Sequence, residues 1–179
     1  ALTMSACRAI ISHGSDELKD TYLSKMVSGE WTGTMCLTES HCGSDLGLVR
    51  SSAVQVSDNT YHIKGNKIFI SSGQHDASSN IIHLVLARLN GAPEGIKGLS
   101  LFLVPAKIQD DKKNWTKPNA VQCIGIEEKM GAHANPTCSM CFENAEGYLI
   151  GEVNQGIHAM FTMMNEMRLG ASMQGVGLS

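Results

Sequence analysis

Residues 36–45 read CLTESHCGSD, where an apolar run stops at a dense polar cluster. If the run is a strand, Cys36 and Thr38 share one face, and Thr38 presents its hydroxyl at the strand's end. Gly43 and Ser44 then let the backbone approach a ligand closely and supply N–H and hydroxyl donors. Taken alone, the stretch is a polar turn, a metal site, a nucleophile, or a loop that grips a polar or anionic ligand.

A metal site in this stretch would use His41, Cys42 and Asp45. No fourth ligand is identifiable, so we predict no metal. Cys138 and Cys141 lie in TCSMCF, which reads as a strand, where residues three apart point to opposite faces. We interpret this pair as small buried hydrophobic residues. The six cysteines form no disulfide framework, which favours a reducing compartment.

A second stretch, KGNKIFISSG at residues 64–73, also carries candidate binding groups. Phe69 and Ser71 share a face at a strand end, with Ile70 opposite. Such a pair is either ordinary core and turn, or a ring that packs on a planar cofactor beside a hydroxyl that bonds its heteroatoms.

The composition limits the classes of protein to consider. The chain has 179 residues, of which 42% are hydrophobic and 17% charged, so it can bury a core. A formal net charge of -3 and the absence of a basic stripe exclude nucleic-acid binding. No apolar run approaches the ~18 residues of a membrane span, and no secretory signal opens the chain.

From Thr32 to about Phe142, short apolar runs alternate with turn residues. This pattern predicts seven strands, near 33–38, 49–56, 60–71, 80–89, 97–104, 119–125 and 137–143. Seven short strands at this spacing are typical of an antiparallel sandwich or barrel. Residues 106–118 are polar and are predicted to form an exposed excursion.

Helices are predicted at both ends of this β region. Residues 2–12 and 16–27 read as two short helices, the second with Ser15 as its N-cap. From Gly156 the period is helical again, with one stripe through Ile157, Phe161, Met164, Arg168 and Ala171. The guanidinium of Arg168 must find a partner there or a way out to water. Because the chain stops at Ser179 without a cap, we expect it to be part of a larger protein.

Four motifs in this chain resemble the acyl-CoA dehydrogenase family. The first is MCLTESHCGSD, which is similar to the family's C-x-T-E-P-x-x-G-S-D motif, with Ser40 in place of Pro. KIFISSG resembles its partner segment, with Phe69 where many members have Trp and Ser71 where many have Thr. EEKMGAHANPTCSMCFENAEGYLIGEVNQGI and MMNEMRLGAS resemble the segments that follow. The order and spacing also match, and the excursion and the MFTMMN helix look closest to the 3-methylmercaptopropionyl-CoA and long-chain branch.

The resemblance implies a mainly β fold: an antiparallel barrel or sandwich middle domain between short N-terminal helices and one C-terminal helix. The implied divisions are 1–31, the end of an N-terminal helical domain; 32–153, the middle β-domain; and 154–179, the start of a C-terminal helical domain. The implied activity is α,β-dehydrogenation of an acyl-CoA thioester. In that reaction a carboxylate removes the α-proton and a hydride passes to FAD.

The resemblance also implies site residues. Leu37 and Thr38 should bond the pyrimidine edge of the flavin, Phe69 should pack against the isoalloxazine, and Ser71 should lie near N5 and O4. The implied cofactor-binding set is Met35, Leu37, Thr38, Gly43, Ser44, Phe69, Ile70 and Ser71. The implied substrate-binding residues are Ser44 and Arg168. The catalytic glutamate is expected beyond Ser179, so this chain alone should be inactive.

Further expectations concern partners and location. The resemblance implies an acyl-CoA substrate, an electron-transfer flavoprotein or similar acceptor, and a homo-oligomeric parent. We expect the cytoplasm, with the mitochondrial matrix as the alternative. Two other functions stay open: an acyl-CoA oxidase-type flavoenzyme, and a β-sandwich binding module without catalysis.

Overall fold

The computed structural model describes residues 1–179 and has helices at both ends of a β region. Helix α1 is Leu2–His13, and the second helical segment, α2, joins three turns: Asp16–Leu18, π-helical Lys19–Leu23 and Ser24–Val27. The strands are β1 Trp31–Cys36, β2 Ser52–Gln55, β3 Tyr61–Ser71, β4 Asn80–Leu89, β5 Leu99–Pro105, β6 Lys107–Ile108, β7 Lys117–Pro118, β8 Val121–Ile126 and β9 Thr137–Ile150. The last element is helix α3, Gly156–Leu178.

The strand pairings close into a ring. Strand β4 pairs with β2, β2 with β3, β3 with β9, β9 with β5, and β5 returns to β4. Strand β1 adds beside β4, and β8 adds beside β9. Ring closure removes the free edges that an open sheet would expose. The predicted fold class, mainly β with helices at the two ends, is confirmed.

Two pairings differ from the predicted antiparallel arrangement. Strand β1 runs parallel to β4, with Trp31 opposite Asn80, and β2 also meets β4 in parallel at Ser52 and Arg88. Parallel neighbours need a crossover connection, and here the β2–β3 hairpin carries the chain back so that β4 enters beside β1 in the same direction. Apolar alternation in a sequence reports a strand's faces but not the direction of its partner.

Two hydrophobic cores lie on the two faces of β4. Ile82, Leu84 and Leu86 pack with the helices in one core, and Val85 and Ala87 pack inside the barrel with Phe102 and Phe142. A strand that is buried on both faces reads as a nearly continuous apolar run, as residues 81–87 do apart from His83.

The excursion at 106–118 is mostly exposed, as predicted, and none of its residues is buried. It forms a small hairpin of β6 and β7, and Trp115 packs edge-on to Trp31 with the ring centroids 4.9 Å apart. Trp115 also lies 5.5 Å from Tyr22 of α2. The contact that the sequence did not predict is this one aromatic residue, which anchors an otherwise polar segment on the first core.

The helices at the two ends pack on each other. The Ser15 hydroxyl accepts a hydrogen bond from the Leu18 N–H at 3.3 Å, which confirms the predicted N-cap. Helix α3 packs on α1, β4 and β5. Its buried residues are Gly156, Ala159, Met160 and Met163, not the predicted stripe. No helix of the chain combines the length and the apolar character that crossing a membrane requires.

Candidate functional site

The strand-end stretch has the predicted alternation. Cys36 is fully buried inside the barrel, whereas Met35 and Leu37 lie partly buried against the helical core. Thr38 is partly exposed just past the end of β1, and its carbonyl accepts a hydrogen bond from the Ile68 N–H at 2.9 Å. This bond brings the CLTESHCGSD and KIFISSG stretches, some thirty positions apart in the sequence, side by side.

A β-bulge next to Thr38 presents an aromatic ring to solvent. The register of β3 against β9 shifts between Lys67 and Ile70, and Phe69 in the bulge has a φ of 61° and is 59% exposed. A bulky residue in the left-handed region is strained, and an exposed ring gains little from burial. The barrel therefore holds Phe69 in a costly position that is typical of a ligand platform. Ile70, in contrast, is 1% exposed and belongs to the barrel core, so only its backbone can contact a ligand.

A buried ion pair fixes these two stretches to each other. The Lys67 Nζ lies 2.8 Å from the Glu39 Oε1 and donates a second hydrogen bond to the Leu37 carbonyl at 2.9 Å. Glu39 also accepts from the Arg50 N–H, the Ser51 N–H and the Ser51 hydroxyl. Burial alone would raise the pKa of Glu39, but the Lys67 ammonium and these hydrogen bonds hold it below its ordinary value.

Sequence reasoning missed this pair, although both residues stand in the quoted motifs. The available signal was Lys67 itself, a charged residue at even spacing from Tyr61 and Ile63 on the face of the strand that points inward. A lysine at such a position requires a buried partner.

The glycine–serine loop lies directly beneath Thr38. Backbone hydrogen bonds in both directions between Glu39 and Cys42 close a tight turn, after which Gly43 and Ser44 are exposed. A Cβ on Gly43 would stand 3.2 Å from the Thr38 methyl group, so glycine keeps this loop close to the strand end. Ser44 is exposed beside this close contact.

The same loop contains three potential metal ligands, Glu39, His41 and Cys42, whose ligand atoms lie within 4.8 Å of one another. Asp45, which we considered from the sequence, is not among them and instead accepts from the Gly47 N–H. Glu39 is already neutralised by Lys67, the His41 Nε2 bonds the Leu48 carbonyl at 2.9 Å, and burial raises the pKa of Cys42. A metal would have to displace these interactions, and the arrangement does not favour one.

The end of β3 is tied to the third motif. Ser71, partly exposed, pairs with Thr137 of β9. The next residue, Ser72, donates from its N–H to the Pro136 carbonyl at 2.7 Å and from its hydroxyl to the Asn135 side chain at 2.6 Å. The 131–137 connection is thereby held against the strand end that carries Phe69 and Ser71.

Arg168 lies at the surface of the chain. It is exposed, bonds the Asn165 side chain at 3.2 Å and lies 5.4 Å from the Phe161 ring. Its guanidinium thus takes the route to water that the sequence left open, because Arg168 lies beyond the first two turns of α3, which hold the buried residues of that helix. No carboxylate of this chain pairs with it, and its pairing with a carboxylate or a substrate phosphate stays a prediction.

One edge of the barrel therefore brings together Thr38, the Gly43-Ser44 loop, the exposed Phe69 ring and Ser71. Hydroxyl and backbone groups surround an aromatic face there, on strand ends that an internal ion pair holds rigidly. This fold defines a β-barrel domain, and this edge is its candidate binding surface for a planar polar ligand.

Comparison with known proteins gives the family. Residues 34–145 match the model of the acyl-CoA dehydrogenase middle domain, and the chain belongs to the acyl-CoA dehydrogenase family. It is 48% identical over 99% of its length to a 3-methylmercaptopropionyl-CoA dehydrogenase of Ruegeria pomeroyi, and 43% identical over 94% to a butyryl-CoA dehydrogenase of Syntrophomonas wolfei. The chain spans 30% and 29% of those two relatives, less than a third of each.

A solved structure supports the same fold. A glutaryl-coenzyme A dehydrogenase in its glutaryl-CoA complex superposes with a TM-score of 0.78 at 27% identity. The match covers 99% of this chain and 42% of that one. The predicted resemblance to the family, including its 3-methylmercaptopropionyl-CoA branch, is confirmed.

Proposed function

We propose that this chain is the middle β-domain of an FAD-dependent acyl-CoA dehydrogenase and supplies contacts to the flavin and to the acyl-CoA. Residues 32–153 form that domain, residues 1–31 end a helical domain before it, and residues 154–179 begin one after it. The observation that carries the proposal is Phe69, an exposed aromatic ring held at positive φ beside Thr38 and Ser71.

The residues at this edge fit a flavin. An isoalloxazine needs an apolar face to pack on and hydrogen-bonding groups around its rim. The Phe69 ring offers the face, and the Thr38 and Ser71 hydroxyls offer rim partners. Met35 and Ile70 contribute through their backbones, since their side chains lie against the two cores.

FAD, when bound, supplies the two-electron oxidation of the acyl-CoA to the α,β-unsaturated thioester. The chain's own residues bind and orient the cofactor and the substrate, and they exclude water from the site. The Leu37 carbonyl is held by Lys67, so the rim contacts of Leu37 and Thr38 are fixed before the cofactor arrives. Phe69 covers one edge of the site and keeps water from it.

The glycine–serine loop and Arg168 serve the charged parts of the ligands in this proposal. Gly43 and Ser44 offer an N–H and a hydroxyl to the cofactor's pyrophosphate or to the pantetheine of CoA. Arg168, exposed on α3, is free to meet a phosphate of the substrate.

Other components of the reaction lie outside these residues in our proposal. The carboxylate that removes the α-proton comes from polypeptide beyond Ser179. An electron-transfer flavoprotein or similar acceptor reoxidises the cofactor, and the complete protein is a homo-oligomer. We place its activity in the cytoplasm, with the mitochondrial matrix as the alternative.

The test is acyl-CoA-dependent reduction of an acceptor dye by the longer polypeptide that carries this chain, with butyryl-CoA and 3-methylmercaptopropionyl-CoA as substrates. We expect turnover by that polypeptide and none above background by residues 1–179 with added FAD, because a missing general base costs several orders of magnitude in rate. Turnover by residues 1–179 alone would contradict the proposal that the catalytic carboxylate lies outside them. If the longer polypeptide is purified without flavin and is inactive, the domain is a binding module. If it consumes oxygen in the absence of the dye, it is an oxidase.

A further inference from the structure

A cavity of about 450 Å³ lies at the other end of strand β3 from Phe69. Tyr61 lines it, whereas Ser71 ends the strand at the candidate flavin edge. Ten residues of strand at roughly 3.3 Å each separate the two places by about 30 Å. The cavity is therefore a separate site, and what it binds does not depend on the function proposed above.

Aromatic rings from three distant segments form its inner wall. Tyr22 comes from α2, Trp115 from the excursion and Tyr148 from β9. The centroid of the Tyr22 ring lies 5.5 Å from that of Trp115 and 6.3 Å from that of Tyr148. Trp31 packs behind Trp115, which fixes the cluster in place. Tyr22 is 2% exposed and supports the other two rings, so Trp115 and Tyr148, which are partly exposed, are the rings that a cation can reach.

The charges around the cavity are all negative. Glu17 and Asp58 line it, and Glu146 accepts a hydrogen bond from the Tyr148 hydroxyl. Its lining contains no lysine, arginine or histidine, and none of these three carboxylates forms an ion pair. Burial, and after it the neighbouring phenol and these glutamates, raise the pKa of Tyr22. The site thus holds negative potential without a counter-charge.

We propose that this cavity binds a small organic cation, an alkylated ammonium compound. The rings of Trp115 and Tyr148 pack against its alkyl groups and attract its charge, Tyr22 holds these two rings in place, and Glu17 and Asp58 supply the opposite charge at the rim. The size suits a small molecule, since ligand pockets of this kind occupy a few hundred Å³. Aromatic rings with carboxylates nearby are the usual means by which proteins recognise quaternary ammonium groups.

Titration with two probes of the same shape tests the proposal. Choline carries the charge, and 3,3-dimethylbutan-1-ol is its neutral counterpart with carbon in place of nitrogen. We expect choline to shift the NMR signal of the Trp115 indole N–H saturably and to bind about tenfold more tightly than the alcohol. Equal binding of the two probes, or no saturable shift with choline, would overturn the proposal.

Matched variants locate the site. Glu17→Gln removes one rim charge and should weaken choline binding about fivefold, whereas Glu128→Gln, an exposed glutamate outside the cavity, should leave it unchanged. Thr38→Val at the flavin edge should also leave it unchanged, which separates this site from the proposed function. Equal losses in Glu17→Gln and Glu128→Gln would show that choline responds only to overall charge, and the cavity would not be its site. Near-UV circular dichroism checks that each variant keeps the aromatic packing.

Discussion

Two residues with opposite energetic roles, Lys67 and Phe69, stand two positions apart in β3. Lys67 is 0% exposed, and its ammonium bonds Glu39 and the Leu37 carbonyl. Phe69 is 59% exposed and sits at positive φ. The first holds the strand ends in place, and the second accepts strain that folding alone does not require. Stability and the proposed ligand binding therefore depend on separate residues of one bulge.

The ion pair should dominate local stability. Lys67→Met leaves Glu39 charged and buried, so we expect the free energy of unfolding to fall by about 3 kcal/mol or more. Lys64→Met on the same strand removes an exposed pair with Glu143, whose atoms are 3.9 Å apart, and should cost less than about 1 kcal/mol. Urea unfolding measures both. Similar losses in the two variants would show that burial of Lys67 contributes little.

Removing the strained Phe69 side chain should have the opposite effect on the free energy of unfolding. Phe69→Gly removes the Cβ that makes positive φ unfavourable, so the flavin-free chain should keep its stability or gain up to about 1 kcal/mol. Flavin retention by the longer polypeptide should fall, since the packing face is gone. Thermal unfolding and the flavin absorbance of purified protein check the two effects. A large loss of stability would mean that Phe69 is an ordinary structural residue.

His83 makes the chain sensitive to acid. It is fully buried, its Nδ1 contacts the Thr34 hydroxyl at 2.9 Å, and its Nε2 has no partner. Burial, with a smaller contribution from His75, lowers the pKa of His83 from 6.5 to about 3. Between pH 6.5 and about 3, His83 is therefore protonated in the unfolded chain and neutral in the folded chain. The free energy of unfolding falls as the pH falls below 6.5.

This difference in pKa predicts a loss of about 2 kcal/mol from His83 between pH 7 and pH 5. Urea unfolding across this range should show that loss, and His83→Asn should remove it whatever its effect at pH 7. The exposed His62→Asn serves as the control and should keep the full pH dependence. An unchanged slope in His83→Asn would contradict the assignment.

At the scale of elements, the strands were predictable and their partners were not. Residues 80–89 read as a strand from their apolar run, and the alternation of Met35 to Thr38 gave the correct faces. Strand β9 extends to Ile150, beyond the predicted 143, because Tyr148 and Leu149 pair with β5. Partner direction, as in the parallel β1–β4 pair, depends on contacts between distant residues that no local pattern records.

Helix α3 divides into a packed and an unpacked part. Its early residues are buried against α1 and β5, whereas Leu169, Met173 and Val176 are 59%, 70% and 78% exposed. Glycines at 170, 175 and 177 each cost about 1 kcal/mol in a helix. The distal half thus has low intrinsic stability and little packing.

Hydrogen exchange of the chain should show this division. Amides of residues 159–164 should be protected from exchange about 100-fold more than those of residues 169–178. The helix can open locally at residues 169–178 without breaking contacts to the rest of the chain, whereas opening at residues 159–164 breaks such contacts. Backbone amide exchange followed by NMR measures the ratio. Uniform protection along α3 would mean that the distal half is stabilised by contacts that the structure does not contain.

At the scale of the whole molecule, the candidate site forms where distant segments meet. The motifs identified Thr38, Phe69 and Ser71 individually, because each is a residue type with a recognisable chemistry. The Glu39–Lys67 pair, the anchoring of Trp115 and the exposure of Arg168 were not predictable in the same way. Each depends on what surrounds the side chain, and the surroundings come from segments far away in the sequence.

Flavin content and reduction potential of Thr38→Val and Ser71→Ala in the longer polypeptide test the central claim most directly. Each substitution leaves a polar atom of the cofactor without a partner, which costs about 1–3 kcal/mol, so flavin retention should fall or the potential should shift. Ser57→Ala, in the β2–β3 turn at the far end of the barrel, is the matched control and should change neither. If both site variants keep the parent's flavin content and potential, the flavin does not lie at this edge.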